Sequence, residues 1–259
     1  VFVLFFCVAA LYSNNKSTGN SVLTSSTASL SNKKIGWGIK KTNNHTQPDL
    51  GSKNKELINK YNGIAMGNPD KKYIYITFDE GYEAGHTAKI LDVLKDNNVK
   101  AAFFITGYYL NSSGDLVKRM IDEGHIVGNH TVNHYSMPDI DNAKLKDEVM
   151  KLHTALYEKF GYEMKYLRPP MGEYSERVLS ETNNLGYRTA MWSFGYVDWD
   201  PNKQKGEEYA KKTILDNLHN GEVMLLHATS SDNANVLDSV IKEAKAQGYE
   251  FKSLDEFQK

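Results

Sequence analysis

Residues 73–97 read YIYITFDEGYEAGHTAKILDVLKDN. Tyr73 to Phe78 is an unbroken run of β-branched, aromatic and hydroxyl side chains, the composition of a buried strand. Beyond Gly81 and Gly85, His86 to Asn97 places Ile90, Leu91 and Leu94 on one face at helical spacing, which predicts a helix. The same unit recurs at Ala101 to Thr106 with Asp115 to Glu123, at Ile126 to Asn129 with Asn142 to Phe160, and at Lys165 to Arg168 with Ser175 to Leu185. Further strands are expected at Arg188 to Trp192, Val223 to Leu226 and Tyr249 to Lys252, and helices at Lys205 to Leu218 and Asn235 to Gln247. Repeated β–α units predict an α/β protein with a parallel sheet. Because no Gly-rich phosphate turn follows the first strand, a (β/α) barrel is expected rather than a doubly wound sheet.

The chain has 259 residues, 40% of them hydrophobic, enough for one large core or two small ones. Lysine plus arginine, 31, nearly cancels aspartate plus glutamate, 32, so no net field draws the protein to nucleic acid or to an anionic membrane. The lone cysteine, Cys7, lies in the apolar run Val1 to Leu11, so the rest of the chain has no disulfide and no cysteine chemistry. That run is too short for a membrane span and ends near the small residues Ala9, Ala10 and Ser13. Residues 1–12 are therefore read as a truncated export signal, with a membrane tether as the alternative. Ser13 to Lys34 is polar and aperiodic, a flexible linker. Residues 35–71, with Trp37 and a short helix at Asn54 to Tyr61, are expected to pack as an N-terminal extension on a main domain spanning 72–259.

In folds of this kind, reactive groups gather beyond the carboxyl ends of the strands. Standing there are Asp79 and Glu80, His130 and His134, Arg168, Asp198 with Trp199, and His227. Any one alone reads as a solvated loop residue or a helix cap; their joint placement at one end of one sheet points to a site. His130 and His134, four residues apart, would face the same way on one helical turn and suit a zinc-type ion. Asp79 and Glu80 are neighbours on a strand and face opposite ways, so one acid can serve the ion while the other takes a proton from its water. His45, His86, His125, His153 and His219 read as structural or exposed.

Thr77-Phe78-Asp79-Glu80-Gly81-Tyr82, His130-Thr131-Val132-Asn133-His134, Arg168-Pro169-Pro170-Met171-Gly172, Asp198-Trp199 and Leu225-Leu226-His227 resemble, in order and spacing, the motifs of the polysaccharide deacetylase family. That family is also called NodB-homology or carbohydrate esterase family 4. The Trp37-Gly38 segment, Gly81-Tyr82-Glu83 and the stretch Asn202 to Gly206 look more specifically like delta-lactam-biosynthetic N-acetylmuramic acid deacetylases of spore-forming bacteria.

The resemblance implies a distorted seven-stranded (β/α) barrel and a metal-dependent N-deacetylase. It makes Asp79 the general base steered by Arg168, and His227 the general acid oriented by Asp198. The divalent ion, taken as zinc, falls to His130, His134 and Glu80. Met171 contributes an oxyanion-binding N–H, Trp199 and Leu225 an apolar niche for the acetyl methyl, and Gly172 and Tyr82 further substrate contacts. Two positions depart from the pattern: Glu80 stands for the usual aspartate, and Met171 for the usual aromatic. The expected partner is peptidoglycan, met by an exported monomer in the cell envelope or the developing spore envelope, with muramic-δ-lactam as the eventual product. The alternatives are a general peptidoglycan N-acetylglucosamine or chitooligosaccharide deacetylase, and an inactive glycan-binding module.

Overall fold

Alternate residues of the strands face two separate cores. Ile74, Ile76, Phe78, Phe103, Ile105, Val127, Leu167, Met224 and Leu226 pack in one, while Tyr75, Ala102, Phe104, Ile126, Tyr166, Ala190 and Val223 pack in the other. Strand side chains alternate by two, so a sheet with apolar residues at both parities is covered on both faces. The first core lies between sheet and helices; the second fills the inside of a curled sheet. The computed structural model describes residues 30–259. The segment read as a signal or tether, and the linker up to residue 29, lie outside the described residues.

The elements in chain order are β1 (Ile35–Gly36), α1 (Ser52–Lys60), β2 (Tyr73–Glu80), α2 (Thr87–Asp96), β3 (Ala102–Ile105), α3 (Gly107–Ser112), α4 (Gly114–Asp122), β4 (Ile126–Asn129) and α5 (Asn142–Phe160). They continue with β5 (Tyr166–Leu167), β6 (Glu173–Tyr174), α6 (Glu176–Asn184), β7 (Arg188–Thr189), α7 (Glu207–Asp216), β8 (Glu222–His227), α8 (Ser231–Ala246) and β9 (Glu250–Phe251). Caps decide several boundaries. Asp141 accepts the Lys144 N–H at the start of α5, and left-handed Gly161 (φ 67°) stops it. The short helix α3 was not expected; it forms because the Thr106 side chain accepts the Tyr109 N–H just past β3.

Seven strands make one parallel sheet in the order β7-β5-β4-β3-β2-β8, with β9 also on β2. The parallel sheet is the one that the alternation of strands and helices predicts, and it curls into a half-barrel, in keeping with the distorted barrel that the resemblance implies. The expected strand Arg188 to Trp192 is shorter because the chain turns after Thr189 to reach the opposite edge. There the Phe194–Met224 bridge and the Ser193 N–H donated to the Val223 carbonyl (2.9 Å) draw the two edges together.

The N-terminal extension is joined to the barrel by an antiparallel pair, β1 with β6. The end of the expected linker differs from its reading: Asn32 donates to the Pro138 carbonyl, and the Ser31 carbonyl accepts from Arg177 N–H. Partners in the domain, Pro138 buried and Arg177 half-buried, thus hold residues whose composition alone suggests a tether.

Candidate active site

Parity on the strands places the site. Asp79 shares the inward face of β2 with Tyr75 and Thr77, and Leu225 and His227 share that of β8 with Val223. His130 and Arg168 follow β4 and β5 in the same sense. Asp79, His130, His134, Met171, Gly172, Tyr82, Trp199, Leu225 and His227 all line one cavity of about 720 Å³ at the carboxyl ends of the strands. Arg168 and Asp198 stand behind this wall, and Glu80 is not part of it.

Arg168 is fully buried and its guanidinium lies 4.2 Å from the centre of the Phe104 ring. That ring needs Gly128 opposite, where a Cβ would come within 2.5 Å of it. Nη1 of Arg168 donates to Asp79 Oδ1 at 2.7 Å, while Nε and Nη2 donate to the carbonyls of Ala190 and Met191. The expected steering is thus a single charged hydrogen bond, with the other arms spent on the backbone after β7. Burial raises the Asp79 carboxyl, but Arg168, with His130 and His227, outweighs it and holds the group below the ordinary carboxylate range.

His130 Nδ1 lies 2.8 Å from the Arg168 carbonyl, so this nitrogen carries the proton and donates it. Its Nε2 therefore presents a lone pair, 3.1 Å from His134 Nε2 and 3.6 Å from Asp79 Oδ2. Burial pushes the His130 ring down to about 4, and it lowers His134 as well, so both rings are neutral donors near neutral pH. Two imidazole nitrogens on one tetrahedral ion stand about 3.3 Å apart. The observed separation fits a divalent metal shared by the pair. Among the described residues, no three His, Cys, Asp or Glu side chains converge as a complete cage, so further ligands would include water or substrate.

The imidazoles do not converge through a helical turn. Residues 130–134 form a loop in which Thr131 (φ 67°) and His134 (φ 58°) are left-handed, and such non-glycine conformations persist only where neighbours enforce them. The Asn129 side chain accepts the Thr131 N–H at 2.9 Å and the Thr131 hydroxyl accepts the His134 N–H at 3.0 Å, while buried Glu148 of α5 accepts the Asn133 N–H and the Asn133 side-chain amide, both at 2.7 Å. Glu148 was invisible in the sequence because it reads as one more charge on an amphipathic helix.

Glu80 is placed differently from Asp79. It has the outward parity of Ile74, Ile76 and Phe78, toward the helices, and both its oxygens are buried without a hydrogen-bond partner. Burial, then Glu83 and Asp79, push its carboxyl well above the ordinary glutamate range. The alternation that distinguishes the two acids thus sends Asp79 to the imidazoles and Glu80 away from them.

On the opposite wall, His227 Nδ1 lies 2.7 Å from Asp198 Oδ1. Burial lowers the His227 ring, but the bond and charge of Asp198, with Asp79, raise it above its ordinary value. Asn233, at the start of α8, donates to Asp198 Oδ2 at 2.6 Å and its own oxygen takes the Tyr196 hydroxyl. Asn233, Tyr196, Trp192 and Thr229 were not singled out from sequence. Tyr196, Trp192 and Thr229 line the cavity, and the aromatic run between β7 and Asp198 was the available signal.

Between the walls, Met171 (φ 59°, ψ 8°) is left-handed and followed by left-handed Gly172 (φ 65°). For a non-glycine residue this costs on the order of 1–3 kcal/mol. Trp199 and Tyr82 are exposed at the cavity rim, and Leu225 is buried in its floor.

The chain is similar to known proteins in sequence and in fold. The polysaccharide deacetylase family model matches residues 66–190. The peptidoglycan-N-acetylmuramic acid deacetylase PdaA of Bacillus subtilis is 45% identical over 87% of this chain and 86% of its own length. The solved structure of Bacillus subtilis PdaA, a family 4 carbohydrate esterase, superposes with a TM-score of 0.86 at 44% identity, covering 88% of this chain and 98% of that one. A peptidoglycan-N-acetylglucosamine deacetylase of Bacillus cereus is 32% identical over 76% of this chain and 72% of its own. The chain therefore belongs to the polysaccharide deacetylase family, carbohydrate esterase family 4, whose members are generally divalent-metal-dependent hydrolases of N-acetyl amide bonds.

Proposed function

We propose that this protein removes the acetyl group from N-acetylmuramic acid in peptidoglycan. The observation that supports the chemistry best is the presence, in one cavity, of an ionised carboxylate at Asp79, two neutral imidazoles at His130 and His134 with their Nε2 atoms 3.1 Å apart, and an imidazole at His227 whose pKa Asp198 raises. Amide hydrolysis needs a base, a place for the developing oxyanion and an acid for the leaving amine.

His130 and His134 would hold the ion, taken here as zinc because it accepts imidazole nitrogen. When bound, such an ion polarises the acetyl carbonyl and lowers the pKa of water. Asp79 accepts the proton of the water that attacks the carbonyl carbon. The Met171 N–H donates to the oxyanion of the tetrahedral intermediate. His227 gives its Nε2 proton to the sugar nitrogen as the C–N bond breaks, releasing acetate and a free amine. Asp198 holds the opposite nitrogen of that ring throughout. Leu225 and Trp199 flank the acetyl methyl, and Tyr82, Met171 and Gly172 border the sugar.

The muramic acid assignment draws on the 45% identical relative and its near-complete overlap with this chain. The freed amine would close onto the lactyl carboxyl, giving muramic-δ-lactam in the spore cortex, and the protein would act as an exported monomer in the cell envelope. No helix among the described residues is long and apolar enough to cross a membrane. Incubation with peptidoglycan whose muramic acid lacks stem peptides, followed by an acetate assay and mass spectrometry of the digested glycan, tests the reading. Loss of acetyl from muramic acid is the expected result. Loss from glucosamine alone would transfer the assignment to N-acetylglucosamine, and no acetate from any acetylated glycan would leave a binding module.

A further inference from the structure

The aromatic residue most prominent in the extension, Trp37, does not line the cavity. It sits behind the loop that carries Met171. Its backbone N–H donates to the Gly172 carbonyl at 2.8 Å, and its indole N–H donates to the Trp192 carbonyl at 2.9 Å. The rings of Trp37 and Trp192 meet edge to face at 6.3 Å, and the Trp37 ring also leans on Tyr174 at 6.2 Å. Gly172 has no room for a side chain: a Cβ there would lie 2.7 Å from the Trp192 ring and 3.2 Å from the Trp37 Cβ. Immediately before it, the pairing of Ile35 with Tyr174 and Gly36 with Glu173 fixes the strand into which the loop runs.

The turn is closed locally by the Gly172 N–H donating to the Pro169 carbonyl at 3.2 Å and the Glu173 N–H donating to the Pro170 carbonyl, but an ordinary side chain at Met171 still favours negative φ. A bracket from outside the barrel adds to these bonds. One residue of the extension grips the loop through a main-chain bond and the cavity wall through an indole bond. Trp37 therefore ties the Gly172–Glu173 peptide, at the far end of the turn that starts with the Met171 N–H, to the position of Trp192, which lines the cavity.

We propose that Trp37 is a positioning residue that holds the Met171 N–H in line with the oxyanion, so that the N-terminal extension completes the catalytic barrel. This rests on the reading of Met171 as an oxyanion donor given above. A donor aimed at charge that appears only in the transition state affects turnover rather than substrate binding. Loss of Trp37 then lowers kcat and spares KM, whereas a tryptophan serving as a platform for the sugar would do the reverse.

The test compares the full chain with Trp37→Phe and Trp37→Ala. Phe keeps most of the ring packing and loses the indole bond; Ala loses both. With cooperative melting curves for each, kcat is expected to fall about 5-fold in the first and about 50-fold in the second, with KM held within about twofold. A raised KM at unchanged kcat, or no kinetic change in folded variants, overturns the proposal. If Trp37→Ala does not fold, Trp37→Phe carries the comparison alone. If the unaltered protein releases no acetate from any glycan, the functional reading falls by itself. Hydrogen exchange at the Met171 amide then decides the bracket: faster exchange in Trp37→Phe supports it, and identical exchange overturns it.

Discussion

Asp198 holds His227 at two points: Oδ1 is 2.7 Å from the ring Nδ1, and Oδ2 accepts the backbone N–H of the same residue at 2.9 Å. With Asn233 as a third donor, both carboxylate oxygens are engaged and the imidazole is held in one orientation. Its remaining nitrogen, Nε2, is left for the cavity.

Asp198→Asn is expected to lower kcat/KM by about 10²- to 10³-fold. Activity needs His227 protonated, and Asp198 raises its pKa, so the variant loses activity at a lower pH than the parent on the alkaline side. A pH–rate profile reads both effects. An alkaline limb that stays in place would remove Asp198 from the control of this proton. Asn233→Ala should shift the limb in the same direction by less.

Asp79→Asn removes the base and leaves Arg168 buried without its carboxylate. Turnover should drop by at least about 10³-fold while glycan binding survives. Stability should fall by about 3 kcal/mol in urea titration, the usual scale for a broken buried ion pair. Retained turnover would assign the base elsewhere.

Glu80→Gln tests the outward placement of the second acid. The folded-state pKa of Glu80 is raised above its ordinary value of 4.5. Between those two values the folded chain keeps a proton that the unfolded chain has released. Its contribution is therefore fully present below the unfolded pKa and is lost as pH rises through this window. The glutamine variant should be at least as stable as the parent at neutral pH and show a shallower decline, the residual slope belonging to buried Glu222, which is raised for the same reason. Its zinc affinity should equal that of the parent by calorimetry; a tenfold weakening would restore Glu80 as a ligand.

Removing the metal with a chelator should abolish acetate release, and adding zinc back should restore it. His134→Ala is expected to weaken zinc binding by at least about 100-fold, since it leaves one nitrogen where the geometry offers two. Full activity after exhaustive chelation would contradict metal dependence in this member of the family. Glu148→Gln, which loosens the loop without touching the ion, should weaken binding by about 10-fold, a typical effect for a residue supporting a ligand.

The order of strands and helices, the inward and outward sides of β2 as alternatives, and the chain order of Asp79, His130, Arg168, Asp198 and His227 were all legible in the sequence, because each depends on local periodicity or spacing. Several things were not. Which of Asp79 and Glu80 faces the imidazoles depends on the direction in which the sheet curls, and both faces of this sheet are apolar, so the pattern along one strand does not choose. The two histidines converge through left-handed backbone that Glu148 helps to hold, a contact between a loop and the helix after it that spacing alone represents as a helical turn. Trp37 reaches Trp192 and Gly172 across most of the chain, and Asn233 reaches Asp198 from α8, beyond α7 and β8. Local preference sets secondary structure within a few residues. The aim of a buried charge or a strained peptide is set by groups distant in sequence, and only the closed fold brings those groups together.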